Sequence, residues 1–455
     1  MSLTPSDPAA TPELAAAPTF REAFMVWLKI GFLSFGGPAG QIALMHRMLV
    51  DERRWISETR FLHALNYCML LPGPEAQQLA VYVGWLLHKT WGGLVAGLLF
   101  ILPGFLLMVG IAALYVSFGE LDWMQGLLFG MQAATLAIVV EAVLRVGKRA
   151  LKTRALYALA AASFIAIFAF GAPFPVIVLV AGLIGLAAAR WRPALLKVGG
   201  AKVDDIDREP VPEHARPRAA WLLKVLVVGL ALWSVPVLLL WLLAGPSNVY
   251  TQESLFFSKM AVVTFGGAYA VLAYMAQQAV DHYGWLAPGE MVQGLALAET
   301  TPGPLILVLT YVGFLGAYRA PGGLDPLLAG VLGATLSTWV TFVPCFLWIF
   351  LGAPYIEQLR GNRWLSAALT GITAAVVGVI LNLSVWFALH VVFSDVQTWT
   401  GYGLHLSVPN LASIDVPALL LGAAAMLAML RFHVSLLRTL MVCAVIGLLL
   451  RLFPF

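Results

Sequence analysis

The stretch Lys29-Ile-Gly-Phe-Leu-Ser-Phe-Gly-Gly37 returns later in the chain as Lys259-Met-Ala-Val-Val-Thr-Phe-Gly-Gly267. The lysine, the phenylalanine and both glycines match when Lys259 is aligned with Lys29. In the same register, Pro72-Gly73-Pro74 meets Pro302-Gly303-Pro304. Shared helical composition alone would not hold one register across motifs so far apart. The chain therefore contains two homologous halves.

The composition assigns the chain to the membrane. Of its 455 residues, 61% are apolar and only 11% are charged, whereas a soluble domain carries roughly 25% charge. So few charges cannot build a water-facing surface, which excludes a soluble globular protein. The mean hydropathy of +0.88 agrees. Three widely separated cysteines exclude a disulfide scaffold and a cysteine-based metal site.

Apolar segments follow one another along the chain, and most approach the ~20 residues that a helix needs to cross a bilayer. Because the bilayer core holds no water, segments of this length must be helices. We therefore predict an all-α polytopic membrane protein. Its regions are a disordered tail at 1–20, a first membrane half at 21–190, a charged cytoplasmic linker at 191–219, a connecting transmembrane helix at 220–244 and a second membrane half at 250–455.

The connecting helix at 220–244 predicts how the halves are oriented. Each half has the same even number of apolar segments, so one added crossing starts the second half from the opposite side of the membrane. The halves then form an inverted-topology repeat, an architecture common in secondary transporters. The charges agree, because the loop at 46–62 carries four arginines and its counterpart at 280–290 carries no Lys or Arg.

Two apolar segments in each half are interrupted near their centres. Phe35-Gly36-Gly37-Pro38 interrupts the first segment, and Pro72-Gly73-Pro74 interrupts the second. Half-helices of about eleven residues reach only mid-membrane at 1.5 Å per residue. Only re-entrant hairpins place the arginine-rich loop at 46–62 on the cytoplasmic side, where basic loops accumulate. We therefore predict broken or re-entrant helical hairpins at these motifs, with spanning segments as the alternative.

The interruptions also predict a binding site for an anion. Proline removes a backbone donor and ends a helix, and an orphaned polar group in hydrocarbon costs several kcal/mol unless something satisfies it. A helix that restarts after a break presents free N–H groups and the positive end of its dipole. We expect the four breaks to converge at the midplane and hold an anion there. The alternative is that they are kinks or close helix contacts.

The candidate anion-binding residues belong to the breaks and to the polar positions beside them. The glycines are Gly36, Gly37, Gly73, Gly266, Gly267 and Gly303, and the side chains are Gln41, Glu75, Gln77, Gln78, Thr300 and Thr301. Lys29 and Lys259 lie inside the apolar runs before the glycine pairs. A lysine within the membrane is usually functional, and the alternative is that each one extends to the membrane surface.

Two carboxyl groups are candidates for proton coupling. Glu75 and Glu299 flank their Pro-Gly-Pro motifs on opposite sides. An apolar environment favours the neutral form of a carboxyl group, so either residue could carry a proton. For Glu75 the alternative is a first-turn acid that interacts favourably with the helix dipole.

These motifs, with His46 and Gln77-Gln78 beside them, resemble the chromate ion transporter family in its long, two-domain members, over nearly the whole chain. The resemblance implies export of chromate across the inner membrane of a bacterium, driven by the membrane potential or a proton gradient, with sulfate as a close analogue. Transport would proceed by alternating access around the midplane breaks. Pro38 and His46 are replaced by Ala268 and Ala276 in the second half, so the site is expected to be asymmetric.

Two other transport functions stay open. An importer or exchanger of sulfate would use the same scaffold, because chromate and sulfate share shape and charge. An anion channel is the other, since helix breaks and dipoles build pores too. The sequence has no HExxH and no paired Asp motif for a lipid-modifying enzyme, and no GxxxxGK[ST] loop for a primary pump. We therefore expect a protein that is not an enzyme.

The expected partners follow from this interpretation. They are chromate, sulfate and the membrane lipids, and a homodimer is compatible with the sequence. We expect no cofactor, no metal and no nucleic acid.

Overall fold

The structure is a computed structural model that describes residues 17–35, 37–192, 218–265, 268–355 and 363–453. Most of the tail predicted at 1–20 and of the linker predicted at 191–219 lies outside these residues, as do Gly36, Gly266 and Gly267. The described chain is mainly helical, and its helices fall into two series with the same order.

The first series begins at the amino-terminal side. It consists of α1 (Phe20–Leu33), α2 (Gly37–His46), a π-helical turn (Arg47–Glu52), α3 (Glu58–Cys68), α4 (Glu75–Phe118), α5 (Asp122–Ala150), α6 (Arg154–Phe170) and α7 (Phe174–Trp191). Side-chain oxygens cap several of these helices. Thr19 and Glu22 form a reciprocal capping box at α1, and Ser57 caps α3.

Helix α4 folds back on itself. Its backbone leaves the helical conformation at His88 and Lys89. Beyond this point Gly92 packs against Gly84, so closely that a β-carbon on Gly84 would lie 2.4 Å from the Gly92 carbonyl oxygen. Two residues eight positions apart in a straight helix would be separated by about 12 Å. Segments 75–87 and 90–118 are therefore two antiparallel arms of a helical hairpin.

The connecting helix α8 (Ala219–Ala244) leads to the second series. This series consists of α9 (Val249–Val263), α10 (Ala268–Ala276), a π-helical turn (Gln277–His282), α11 (Pro288–Thr300), 3-10 turns at Leu305–Leu307 and Ala353–Tyr355, α12 (Val308–Arg319), α13 (Pro326–Gly352), α14 (Arg363–Val392), α15 (Val416–Leu430) and α16 (Leu436–Leu452). Helices α12 and α13 correspond to the two arms of α4. The order of elements is otherwise the same as in the first series.

A small β-hairpin departs from the predicted all-α class. Strand β1 (Val396–Gly401) pairs antiparallel with β2 (Leu404–Pro409) between α14 and α15. The two central residues of its turn, Tyr402 and Gly403, both have positive φ, at 51° and 78°, as a two-residue type I′ turn requires. The strands supply the β-branched and aromatic residues that favour extended backbone. The prediction of an entirely helical protein was wrong for this segment.

The last helices of each half pack against the other half. Helices α15 and α16 pack on α5, whereas α6 and α7 pack on α14. Glycines permit these close contacts, since a β-carbon on Gly130 of α5 would lie 1.9 Å from the Cys443 carbonyl oxygen of α16. On the other side, a β-carbon on Gly378 of α14 would lie 2.1 Å from the Ala160 carbonyl oxygen of α6. The two halves thus exchange their terminal helix pairs.

Six helices in the described part of the chain are long and apolar enough to cross a membrane. They are α4, α5, α7, α8, α13 with the turn that follows it, and α14. Helix α8 has no buried residue, and it is tied to the bundle by a hydrogen bond of 2.8 Å from Trp339 Nε1 to the Leu232 carbonyl oxygen. The prediction of a helical, multi-pass membrane protein is confirmed.

Candidate functional site

The glycine- and proline-containing motifs lie between helix ends. In the first half, α1 ends at Leu33 and α2 begins at Gly37, while α3 ends at Cys68 and α4 begins at Glu75. Gly37 and Gly73 have φ values of +68° and +122°, and Gly303 in the second half has +95°. Residues with side chains rarely adopt these conformations, so the motifs use the freedom of glycine.

The motifs of the two halves are bonded to each other. The backbone N–H of Gly303 donates to the Ser34 carbonyl oxygen over 2.9 Å, and the N–H of Gly73 donates to the Thr264 carbonyl oxygen over 2.9 Å. Ser34 and Thr264 are equivalent positions in the repeat, and so are Gly73 and Gly303. The pairing is therefore reciprocal. We call the two contacts the Ser34 junction and the Thr264 junction.

The side-chain hydroxyl groups of Ser34 and Thr264 form hydrogen bonds within their own helices. Ser34 Oγ donates to the Ile30 carbonyl oxygen and Thr264 Oγ1 to the Met260 carbonyl oxygen, each over 2.6 Å. Both side chains are buried. Their hydroxyl hydrogens are thus directed into α1 and α9, and the backbone carbonyl groups make the contact across the halves.

Gln41 clamps the Ser34 junction from the side. Its Nε2 donates to the carbonyl oxygen of Gly303 over 2.6 Å and to that of Ser34 over 3.3 Å. The equivalent residue in the second half is Val271, which cannot form such bonds. The two junctions therefore differ chemically.

A residue from a long helix packs on each junction. Gly104 of α4 lies against the Ser34 junction, where a β-carbon on it would stand 2.2 Å from the Pro302 carbonyl oxygen. Cys345 of α13 lies against the Thr264 junction, since a β-carbon on Gly73 would stand 2.8 Å from its Sγ. A proline precedes both residues. Neither Gly104 nor Cys345 belongs to the repeated motifs, so the sequence alone did not point to them.

Two glutamines extend from the first turns of α4. Gln78 Nε2 donates to the Pro72 carbonyl oxygen over 2.7 Å, which stabilises the turn at Gly73. Gln77 is completely buried, and within the described chain neither its Nε2 nor its Oε1 has a hydrogen-bond partner. Glu75 is half-buried one residue after the break. A buried amide without a partner is costly, so Gln77 Nε2 is a candidate donor to a bound anion.

The polar residues before the second Pro-Gly-Pro motif have partners already. Thr300 Oγ1 and Thr301 Oγ1 donate to the Leu297 and Ala298 carbonyl oxygens over 2.7 and 2.9 Å. Glu299 is buried, and its Oε1 accepts a hydrogen bond of 2.6 Å from Tyr269 Oη. The threonine hydroxyl groups therefore bond to carbonyl oxygens in the last turn of α11, whereas Glu299 pairs with Tyr269 of α10.

The structure does not bring the two lysines to the junctions. Lys29 is exposed and lines a groove of about 650 Å³, whose other polar lining residues are Arg21, Arg53, Thr19 and Glu22. Three basic side chains outnumber one carboxylate, and we call this the basic groove. Lys259 is exposed too, with its Nζ 5.8 Å from the centre of the Tyr274 ring. Neither lysine takes part in the junction contacts, and Lys29 instead contributes to a basic surface.

A second cavity, of about 830 Å³, lies between the halves. Its walls include Tyr115 and Gln132 from the first half and Glu290, Gln293 and Arg319 from the second, and we call it the interhalf cavity. Glu290 accepts hydrogen bonds of 2.9 Å from both Tyr115 Oη and Arg319 Nη1. Neither the interhalf cavity nor the basic groove includes a junction residue in its lining.

Sequence reasoning missed one buried carboxyl group. Glu253 of α9 is completely buried, and its two oxygens have no hydrogen-bond partner among the described residues. It lies outside the repeated glycine and proline motifs, so the sequence did not point to it. Comparison of the halves holds the signal, since the repeat aligns Glu253 with Ala23.

Comparisons with known proteins converge on one family. Residues 21–186 and 251–448 match the family model described as Chromate transporter. The chain is 34% identical over 379 residues to a chromate transport protein of Pseudomonas aeruginosa, with 82% of each chain covered. It is 27% identical over 398 residues to a chromate transport protein of Cupriavidus metallidurans, covering 83% of this chain and 85% of the relative. No solved structure matches.

Proposed function

Because this chain belongs to the chromate transporter family, we propose that it is a secondary transporter that exports chromate across the inner membrane of a bacterium. It works by alternating access around the Ser34 and Thr264 junctions. The reciprocal pairing of Gly303 with Ser34 and of Gly73 with Thr264 is the observation that carries this proposal.

Contacts at the ends of the first-half hairpins support a re-entrant topology. Arg53, which follows the π-helical turn after α2, lines the basic groove with Thr19 and Arg21 at the start of α1. His88, at the end of the first arm of α4, lies 2.9 Å from the Pro18 carbonyl oxygen through its Nε2. The chain thus returns to its starting side after α2 and again after the first arm of α4. We call this side the Pro18 face.

Contacts of the second half support an inverted repeat. Segment 90–118 of α4 starts at the Pro18 face and is about 40 Å long at 1.5 Å per residue, enough to cross the ~30 Å hydrocarbon core. Near its far end, Tyr115 Oη donates to Glu290 over 2.9 Å. Glu290 lies in the first turn of α11. The hairpins of the second half therefore start from the face opposite to Pro18.

The junctions then lie between two opposed openings. The basic groove belongs to the Pro18 face and the interhalf cavity to the opposite face. Gly104, which packs on the Ser34 junction, lies roughly halfway along segment 90–118. Positive charge favours the cytoplasmic side, so the Pro18 face is cytoplasmic in this proposal, and its groove attracts a doubly charged anion.

The bonds across the halves are suited to exchange with a ligand. A typical hydrogen bond in a protein contributes only about 0.5–1.5 kcal/mol net. Chromate oxygens that accept from Gly73 and Gly303 would replace the carbonyl oxygens of Thr264 and Ser34 at little cost. The first turn of α4 adds free N–H groups and the positive end of its dipole, and Gln77 Nε2 adds a buried donor without a partner among the described residues.

The driving force is available without ATP. An interior-negative potential expels each negative charge with about 2.3 kcal/mol per 100 mV, so a dianion is expelled with about twice that free energy. A proton gradient adds to this if a carboxyl group is protonated and deprotonated during the cycle. Glu75 and Glu299 keep their place as candidates for that role.

Flux measurements in inverted membrane vesicles test the proposal. Export then appears as uptake of radiolabelled chromate, measured with an imposed potassium diffusion potential, with and without a proton gradient, and beside radiolabelled sulfate. We expect chromate uptake above that of vesicles lacking the protein, increased by a potential that is positive in the vesicle lumen. Uptake of sulfate without chromate would instead establish a sulfate transporter on this scaffold.

A further inference from the structure

The position of Glu253 is unusual for a carboxyl group. It lies in the second turn of α9, and none of its surface is exposed. Neither Oε1 nor Oε2 has a hydrogen-bond partner in the part of the chain that the structure describes. An ionised carboxylate in such surroundings would be very costly. The surroundings therefore accommodate the neutral, protonated form.

Two glycines make room for this carboxyl group. A β-carbon on Gly316 of α12 would lie 2.6 Å from Glu253 Oε1, and a β-carbon on Gly333 of α13 would lie 3.0 Å from Oε2. Any larger residue at Gly316 would displace the carboxyl group. The space is thus shaped by helices α12 and α13 around Glu253.

The first half shows that the fold has no need of an acid at this place. The repeat aligns Glu253 with Ala23, and it aligns Gly316 with Leu87 in the register that also pairs Tyr82 with Tyr311. Ala23 and Leu87 belong to one apolar cluster. The equivalent positions in the first half therefore carry an alanine and a leucine, and no acid.

The neighbours of Glu253 offer no compensating charge within the described chain. On its own helix the titratable neighbour is Tyr250, whose Oη donates to the Ala329 carbonyl oxygen of α13 over 3.4 Å. Helices α12 and α13 face the carboxyl group with Gly316 and Gly333. From the loop before α11, the ring of Trp285 packs on Gly316.

A thin layer separates Glu253 from the interhalf cavity. Trp285 covers Gly316, and its carbonyl oxygen accepts a hydrogen bond of 2.6 Å from Arg319 Nη1. Arg319 also pairs with Glu290, and both residues line the cavity. Displacement of Trp285 and Arg319 would open a route from this cavity toward the carboxyl group.

We propose that Glu253 is a proton-binding site, which exchanges its proton with the interhalf cavity when the layer of Trp285 and Arg319 opens. The carboxylate takes up one proton to become the neutral acid and releases it in the reverse step. Coupling of this step to the anion rests on the proposed function. The proton then enters from the face toward which chromate is exported, as an exchange of anion for proton requires.

Reconstituted vesicles test the coupling with Glu253→Gln, because glutamine has the shape of the protonated acid. Chromate–chromate exchange is measured without gradients, and net chromate flux is measured with and without a proton gradient. We expect Glu253→Gln to lose its stimulation by the proton gradient. We also expect it to exchange chromate more slowly than wild type, because the protonated state does not carry the anion in an exchange of anion for proton. Stimulation equal to that of wild type would overturn the proposal. Glu120→Gln, an exposed acid at the same cavity, serves as the matched control.

A second variant tests whether a loss of proton stimulation could come from misfolding instead. Glu253→Ala combined with Gly316→Leu transplants the apolar pair of the first half into the second. We expect this double variant to insert, to exchange chromate and to lack stimulation by protons. If it is stimulated as wild type is, Glu253 binds no coupled proton and the proposal fails.

Infrared spectroscopy of the purified protein in lipid tests the site without reference to transport. At neutral pH we expect the absorption of a protonated carboxyl group that is missing in Glu253→Gln and retained in Glu120→Gln. Identical spectra for wild type and Glu253→Gln would overturn the proton site. If the band is found but the wild-type protein moves no chromate, the proposed function fails and the proton site stands.

Discussion

Gly104 lies directly against Pro302 at the Ser34 junction, so that a β-carbon on Gly104 would stand 2.2 Å from the Pro302 carbonyl oxygen. The contact joins the middle of α4 in the first half to the Pro-Gly-Pro motif of the second. It leaves no space for even one methyl group.

Replacement of Gly104 by alanine is expected to displace the motif and to abolish most transport. A shift of about 1 Å at a binding site can cost on the order of 100-fold in rate, and we expect a loss of at least about tenfold. Gly110→Ala on the same helix is the control, because a β-carbon there would meet nothing within 4 Å. The two variants are compared by chromate flux in vesicles that contain equal amounts of inserted protein. Equal activity of the two variants would contradict a functional role of the junction.

Replacement of Gln41 by leucine removes the clamp of the Ser34 junction. The Gly303 carbonyl oxygen would lose a hydrogen bond of 2.6 Å, and an unsatisfied buried acceptor costs about 1–3 kcal/mol. We expect chromate flux to fall by about tenfold, together with a lower thermal midpoint in detergent. Gln397→Leu, on the exposed face of β1, should change neither quantity. Wild-type flux in Gln41→Leu would show that the clamp is dispensable.

Replacement of Lys29 by glutamine tests the basic groove. Lys29 lines it with Arg21 and Arg53, and a cluster of positive charge raises the local concentration of an anion. We expect a several-fold higher half-saturating chromate concentration, a maximal rate like that of wild type and a weaker dependence on ionic strength. Lys224→Gln, an exposed residue of α8, is the matched control. Identical kinetics in both variants would limit Lys29 to an anchoring role.

Labelling of introduced cysteines tests the inverted, re-entrant topology. The three native cysteines are buried, which leaves exposed positions free for a thiol reagent that does not cross the membrane. We expect Arg54→Cys to react only from the cytoplasmic side and His282→Cys only from the outside. Both positions are exposed and precede the third helix of their half. Reaction of both from one side would refute the inversion, and reaction of Arg54→Cys from outside would refute the first-half hairpins.

The membrane class and the repeat could be predicted because they depend on composition and register alone. Few charges and long apolar segments require helices in a bilayer, and the family resemblance followed from the repeated motifs. The β-hairpin at Val396–Gly401 and Leu404–Pro409 was not predicted, because short strands outside the apolar segments carry a weak signal.

The contacts at the junctions could not be predicted from the sequence. A proline-glycine motif indicates where a helix ends, but it says nothing about which backbone group receives the freed N–H. From the sequence we expected the backbone amides of Gly73 and Gly303 to bind an anion. In this structure they donate to the carbonyl oxygens of Thr264 and Ser34. The role of those amides toward an anion stays a prediction.

The lysines and Glu253 illustrate a second limit. An ionisable residue near an apolar run can face the interior or the surface, and the sequence does not decide between them. Lys29 and Lys259 are exposed, while Glu253 is fully buried. The burial of Glu253 becomes apparent in the structure, where glycines of α12 and α13 lie opposite its carboxyl group and leave space for it.

The exchange of terminal helices between the halves has a consequence for biogenesis. Helices α6 and α7 leave the ribosome long before α14, the helix on which they pack, has been synthesised. During synthesis, the surface of α6 and α7 that packs on α14 therefore contacts lipid until the carboxy-terminal helices have been inserted. A premature stop codon after the linker would therefore leave an unassembled first half that cannot function on its own. Quality-control proteases would degrade this intermediate.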